Sequence, residues 1–235
     1  SKLSVALELL RKDPKFAVLG MVQSFFEGAM YIVVFMWTPK LELFYTDLPH
    51  GQVFGCFMAF TMIGSCCVDY LTRLAKPESY LRVIFVLSAG TMVLPGLKVA
   101  SGMSVLLSFF AFEFLCGIFW PSKGIVKSNY VPEAVRATMY NVFRVPLNLI
   151  VCLVLSNLES TSDETVFQIT GLLLAMAAMM QHTFFFMVTR DAQEETSDGK
   201  NAYDSKSKLR GVGGGSSSSV ERDEEMGLLG VGTNG

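Results

Sequence analysis

Residues 16–37 read FAVLGMVQSFFEGAMYIVVFMW, a run with one charged side chain, Glu27. A helix of about 20 apolar residues is long enough to cross the roughly 30 Å hydrocarbon core of a bilayer. Five more apolar runs follow along the chain. Together the expected spans cover residues 16–37, 52–71, 81–98, 104–122, 135–157 and 165–189. The sequence therefore predicts an all-α integral membrane protein with six transmembrane helices.

The composition supports a membrane protein and argues against several other classes. Of 235 residues, 51% are hydrophobic and only 17% are charged, whereas an ordinary soluble domain has about 25% charged residues. The net charge of -2 provides no basic field for nucleic acid. The sequence has neither a Ser/His/Asp set nor an H-E-x-x-H motif. We therefore expect no enzyme activity, no cofactor and no metal site.

Two polar segments flank the predicted spans. Residues 1–15 carry four basic side chains and are expected to form a cytosolic amphipathic lead-in. Residues 191–235 combine dense charges with a glycine and serine run, which predicts a disordered cytosolic tail. In this tail Glu224 lies four residues before Leu228 and Leu229, a spacing typical of a sorting signal that binds an adaptor. A plain disordered tail is the alternative.

Lysine and arginine are distributed unevenly between the expected loops. Eleven lie in residues 1–15, 72–82 and 123–136 and at Arg190, whereas the opposite side has only Lys40 and Lys98. Because short cytosolic loops carry the excess of basic residues, both ends of the chain are expected in the cytosol. The expected location is the plasma membrane, with an endomembrane as the alternative.

Ionisable residues near the middle of three spans are the candidate functional residues. An arginine at the bilayer centre costs roughly 2.5–3.5 kcal/mol on insertion scales, so such residues face a bundle interior or a water-filled cavity. At 100° per residue, each lies on a polar stripe of its own helix. The stripes are Gln23 and Glu27; Glu113, Cys116, Gly117 and Trp120; and Asn141, Arg144 and Asn148. They predict a central polar site on a transport pathway. The alternative is structural pairing of Arg144 with Glu27 or Glu113.

The first and fourth spans also share short motifs. One carries Phe26-Glu27 and ends in WTPK at residues 37–40, and the other carries Phe112-Glu113 and ends in WPSK at residues 120–123. These spans would begin two three-helix units that cross the membrane in opposite directions. The sequence therefore predicts a 3+3 inverted repeat, as in many secondary transporters.

Four segments resemble the molybdate-anion transporter family of the major facilitator superfamily, in its C-terminal six-helix half. They are QSFFE at 23–27, FMWTP at 35–39, FEFLCGIFWPS at 112–122 and NVFRVPL at 141–147. The resemblance implies one half of a twelve-helix fold, a missing N-terminal half as partner, and uptake of molybdate. It also implies that Glu27, Glu113 and Arg144 are the intramembrane polar residues. Since the chain starts at a serine, we expect it to be a fragment, with a processed start as the alternative.

The residue types suit an oxyanion substrate. Arg144 offers a planar fork of N–H donors with a positive charge, and Asn141 and Asn148 add donors. Glu27 and Glu113 would hold Arg144 in place or carry a proton that offsets the substrate charge. Three alternatives remain: a carrier of another anion, a carrier of an organic solute, and a non-transporting six-span scaffold or trafficking protein.

Overall fold

The computed structural model describes residues 2–212, and all regular secondary structure in that range is helical. The predicted sorting signal at Glu224, Leu228 and Leu229 lies outside the described residues. The helices are α1 (Lys2–Lys12), α2 (Pro14–Glu42), α3 (His50–Cys66), α4 (Val68–Leu74), α5 (Pro77–Thr91), α6 (Gly102–Tyr130), α7 (Glu133–Leu155) and α8 (Asp163–Val212), with a 3-10 turn at Leu158–Ser160.

Five helical segments of the described chain are long and apolar enough to cross a membrane. They are Pro14–Glu42, His50–Leu74, Gly102–Tyr130, Glu133–Leu155 and Asp163–Glu194. The third expected span, residues 81–98, differs, because α5 has only 15 residues and ends at Thr91. Pro95 follows four residues later; proline donates no helical hydrogen bond and disfavours a helical conformation in the residue before it. The structure thus shows an all-helical membrane protein with five candidate spans.

The chain divides into two units, residues 1–189 and 190–235. The first unit contains the helix bundle. In the second, the described residues 190–212 belong to α8 and include an ion pair of 3.2 Å between Arg190 and Glu194. This differs from the disorder predicted from residue 191 onward. Residues 191–212 contain no proline that would interrupt the helix.

The N-terminal lead-in forms a helix that packs against α2 and α7. Ala6 is fully buried, whereas Leu3 and Leu7 on α1 are about half exposed. The exposed Lys12 ammonium is 2.7 Å from Glu8 and holds the pKa of that carboxyl below its usual value, through a hydrogen bond and charge attraction. Asp13 then accepts a hydrogen bond from the Lys15 backbone N–H and caps α2, which begins with a proline.

Helices α3 and α6 cross at two glycines. A Cβ atom on Gly64 would lie 2.0 Å from the backbone oxygen of Phe114, and one on Gly117 would lie 2.0 Å from the backbone oxygen of Thr61. Such small residues let transmembrane helices approach closely. Gly51 and Gly55, which form a G-x-x-x-G motif in the same helix, have nothing within 4 Å of an added Cβ. The close contact is therefore formed by Gly64 and Gly117.

Phenylalanines fill the centre of the bundle, where α2, α5 and α6 meet. Phe26 is fully buried, with its ring centroid 4.1 Å from that of Phe119, 4.9 Å from that of Phe85 and 6.3 Å from that of Phe112. Tilted and offset aromatic pairs of this kind add to the stabilisation from burial. Phe26 directly precedes Glu27, so this rigid cluster fixes the α2 residues that carry the polar site.

Candidate functional site

Four polar side chains form a ladder between α2 and α6. Lys123 forms an ion pair with Glu27, and the Lys127 Nζ donates a hydrogen bond to the Gln23 Oε1. The Gln23 Nε2 donates to the Glu27 Oε2 at 3.2 Å and closes the network. On each helix the two residues are four positions apart and therefore share a face. Gln23, the earlier residue of α2, contacts Lys127, the later residue of α6, as expected for antiparallel helices.

The ladder is removed from solvent. Lys127 is 1% exposed, Gln23 is 2% exposed and Glu27 is 4% exposed. A buried charge without a partner costs several kcal/mol, so each member needs the hydrogen bonds of the others. Glu27 neutralises Lys123. Lys127 has no carboxylate within ion-pair distance among the described residues, and its polar acceptor is a neutral amide.

Aromatic rings complete the surroundings of the two lysines. The Lys127 Nζ lies 3.5 Å from the centroid of the half-buried Tyr140 ring on α7, and the Lys123 Nζ lies 4.6 Å from that of Trp120. A ring face attracts a cation and disperses its charge without cancelling it. The Tyr140 ring thus favours a cation at Lys127 without cancelling its charge.

The third predicted stripe lies on the exposed face of α7. Asn141, Arg144 and Asn148 are all exposed in this chain. Arg144 is close enough to act electrostatically on both Lys123 and Lys127. Among the described residues, Arg144 forms no ion pair with Glu27 or Glu113. Glu27 pairs with Lys123, and Glu113 accepts a hydrogen bond from Thr61. The described residues therefore do not show the pairing of Arg144 with a glutamate that the sequence left as the alternative.

Glu113 belongs to a different contact. Its Oε2 accepts a hydrogen bond of 3.1 Å from the Thr61 Oγ1, at the α3–α6 crossing that Gly117 also forms. Cys116 is buried nearby on α6, whereas Trp120 is partly exposed. The expected common site of Glu27 and Glu113 is thus not formed: Gln23 and Glu27 join the ladder, and Glu113 joins the α3 interface.

Sequence reasoning missed Lys123, Lys127 and Tyr140. The two lysines were expected in a cytosolic loop at residues 123–136, because Pro121 and the nearby charges indicated the end of a span. Instead α6 includes Pro121 and continues to Tyr130. One signal was available, since the lysines have the same four-residue spacing as Gln23 and Glu27. Partner residues at matching spacing on two spans indicate an interhelical network rather than a loop.

The described residues contain no cluster of three or more His, Cys, Asp or Glu side chains that could hold a metal ion. The ladder instead presents ammonium donors and an amide. Two lysine side chains, Lys123 and Lys127, thus lie on a network with one carboxylate, Glu27. Such a set attracts anions, and charge-assisted hydrogen bonds from ammonium and guanidinium groups are the usual way in which proteins bind oxyanions.

Comparison with known proteins relates this chain to membrane transporters. The family model MFS_5, described as sugar transporters with 12 transmembrane segments, matches residues 1–115. The molybdate-anion transporter of Xenopus tropicalis is 30% identical over 202 residues, covering 80% of this chain and 43% of that protein. The chain resembles the molybdate-anion transporters. Those of Takifugu rubripes and Danio rerio are 31% and 32% identical, over 64% and 63% of the chain and 32% of each relative.

These matches confirm the predicted resemblance to the molybdate-anion transporters and the multi-pass membrane character of the chain. The relatives are named transporters, which is a non-enzyme class. The chain spans less than half the length of these curated relatives. No solved structure is significantly similar to it.

Proposed function

We propose that this chain is one six-span half of a secondary transporter that takes up an inorganic oxyanion, with molybdate as the substrate. The carrying observation is Lys127, a lysine 1% exposed whose acceptor is Gln23 and not a carboxylate. Beside it stand Lys123, already paired with Glu27, and Arg144 on the exposed face of α7. This excess of positive charge among apolar helices supports an anionic substrate.

In this proposal, Gln23 holds Lys127 at the position where the substrate would bind. Its Oε1 accepts from Lys127 where an oxyanion oxygen would accept. The cavity beside the ladder, lined in part by Gln23, Lys123, Lys127 and Gln181, has a volume of only about 10 Å³. No oxyanion fits there, so substrate binding requires Lys127 to leave Gln23 and turn towards Arg144. Asn141 and Asn148 then add donors to the remaining oxygens.

The opposite wall of the site comes from the missing half. Arg144 and the two asparagines are exposed here, and a polar stripe does not face lipid. In transporters built from repeats, the substrate lies between the halves near the bilayer midplane. The N-terminal half of the transporter is therefore a required partner. In this proposal the protein resides in the plasma membrane, and both ends of this chain face the cytosol. Glu113 lies at the α3 interface and serves the fold or a coupling proton.

The experiment compares two buried lysines in the full-length protein. Lys127→Met removes the proposed substrate ligand, and Lys40→Met is the matched control, since Lys40 is 2% exposed but pairs with Glu164 outside the ladder. The measurement is cellular molybdenum by elemental mass spectrometry, normalised to surface-labelled protein. We expect uptake per surface molecule to fall at least tenfold in Lys127→Met and to stay within about twofold in Lys40→Met.

The same assay distinguishes the alternatives. Equal uptake by Lys127→Met and wild type would remove the ladder from the pathway. Wild-type cells that accumulate a labelled sugar but no oxyanion would favour an organic-solute carrier, as the sugar-transporter description of the family model suggests. Cells that accumulate neither would favour a scaffold or trafficking protein.

A further inference from the structure

Helix α3 ends in two adjacent cysteines that the polar ladder does not use. Both are free thiols; Cys66 is exposed and Cys67 is partly exposed. Asp69 and Arg73 follow within two helical turns, at the end of the span that runs to Leu74. The excess of lysine and arginine in this loop puts that end of the span on the expected cytosolic side. Cysteines at this position relative to a membrane are typical sites of S-acylation.

An apolar groove lies between α3, α5 and α6. It has a volume of about 1010 Å³, and on α6 its lining extends from Ser104 to Leu115, about 16 Å along the helix axis. On α3 it is lined by Phe60, whose ring stacks on that of Phe110 at 4.9 Å. The acyl chains of one leaflet fill half of the hydrocarbon core, roughly 15 Å. The groove therefore has a length and a lining that suit a fatty acyl chain.

Cys67 stands at the cytosolic end of this groove. It follows Phe60 by seven residues, so the two lie on the same face of α3, about 10 Å apart along the axis. Gly64, less than one turn before Cys67, contacts the backbone of Phe114, which also lines the groove. The Cys67 Sγ donates a weak hydrogen bond of 3.3 Å to the backbone oxygen of Ile63, which keeps the sulfur beside the preceding turn of α3.

We propose that Cys67 is S-acylated and that its fatty acyl chain occupies the groove between α3, α5 and α6. The Cys67 sulfur attacks the carbonyl carbon of a long-chain acyl-coenzyme A, which the cytosol supplies. A C–S bond to Cys67 forms and the C–S bond to coenzyme A breaks. Coenzyme A leaves as a thiol, taking up the proton that the cysteine loses. The inference is independent of the transported solute.

The first experiment counts thioesters in the full-length protein from eukaryotic cells. Free thiols are blocked, thioesters are cleaved with neutral hydroxylamine, and each released thiol receives a polyethylene glycol maleimide that gives one mass step on a gel. Cys67→Ser should lose one step relative to wild type. Cys66→Ser is the matched control and should keep it, because Cys66 lies about 100° away around the helix. Equal steps in wild type and Cys67→Ser, or a step lost in Cys66→Ser instead, would overturn the assignment.

The second experiment tests where the chain lies. Hydroxylamine should lower the melting temperature of wild type in detergent by at least about 2 °C and leave that of Cys67→Ser unchanged. Gly90 lines the groove with nothing within 4 Å of an added Cβ, so Gly90→Phe fills the space. That variant should keep its mass step and lose most of the temperature shift. An equal shift in Gly90→Phe and wild type, or no shift in wild type, would overturn the groove as the site of the chain.

These results are separable from those on transport. A protein that takes up no oxyanion but shows the Cys67 mass step and the temperature shift refutes the proposed function and supports the acylated groove. A protein that takes up molybdate but lacks both signals does the opposite.

Discussion

The glycine crossing of α3 and α6 allows a sharp test of the packing that holds the site. In Gly117→Ala the new methyl group would lie 2.0 Å from the backbone oxygen of Thr61. Ordinary van der Waals contact begins near 3.4 Å. The two helices must therefore separate by more than 1 Å, because a backbone atom cannot turn away as a side chain can. This also displaces Thr61, which holds Glu113.

The expected cost follows from opposing effects. Overpacking of a close contact costs about 1–3 kcal/mol, and alanine gains roughly 0.5–1 kcal/mol over glycine inside a helix. We expect a net loss of about 1–2 kcal/mol of folding free energy in Gly117→Ala. Gly55→Ala is the matched control, since nothing lies within 4 Å of its added Cβ. That variant should be neutral or slightly more stable.

The assay heats the full-length protein in detergent micelles and measures the folded, monodisperse fraction by size-exclusion chromatography. Gly117→Ala and Gly64→Ala should each lower the melting temperature. The double variant should lose less than the sum of the two, because a single separation of α3 from α6 relieves both contacts. Equal melting temperatures for Gly117→Ala and Gly55→Ala would refute this account of the crossing.

Three further predictions concern charge. Glu164→Gln should destabilise the protein more than Lys40→Met in the same heating assay, because it leaves the Lys40 ammonium buried without its partner at 3.6 Å. The double variant should be more stable than Glu164→Gln alone, and additive losses of stability would contradict this explanation. In a cysteine-free background, a cysteine at Lys98 should react with an impermeant thiol reagent on intact cells and one at Lys76 should not, and the reverse labelling would invert the topology. Arg144→Lys should reach the surface but lose roughly tenfold or more in molybdate uptake, because lysine keeps the charge and lacks the planar fork; unchanged uptake per surface molecule would remove Arg144 from the substrate ligands.

Five of the six expected spans were predictable from the sequence because a bilayer requires long apolar helices. The runs at 16–37 and 104–122 lie inside α2 and α6 as expected. The end of α6 was not predictable by the same rule. Hydropathy falls at Lys123, but Glu27 and Gln23 on another span compensate the polar groups there. The sequence of one helix does not reveal which side chains on another helix will pair with it. A hydropathy average therefore places the end of the span at Lys123, whereas α6 continues to Tyr130.

The helix contacts show the same limit. The sequence pattern places Arg144 on one face of α7 together with Asn141 and Asn148. It does not reveal which element packs against that face, and in this chain the three residues are exposed. Likewise G-x-x-x-G at Gly51 and Gly55 indicates a surface that permits close approach. The approach occurs instead at Gly64, because only there does a second glycine, Gly117, face it from α6. A local motif therefore shows only that a close helix contact is sterically possible. Whether the contact forms depends on the residues of the partner helix.

Two buried lysines illustrate how a membrane protein separates structural from functional charge. Lys40 is 2% exposed and faces Glu164, so its charge is compensated within this chain. Lys127 is as deeply buried, but it faces the amide of Gln23 and the ring of Tyr140. An amide and an aromatic ring lower the cost of burial without cancelling the charge. Under the proposed function, it is this difference in partner, rather than burial, that makes Lys127 and not Lys40 the expected ligand of the anion.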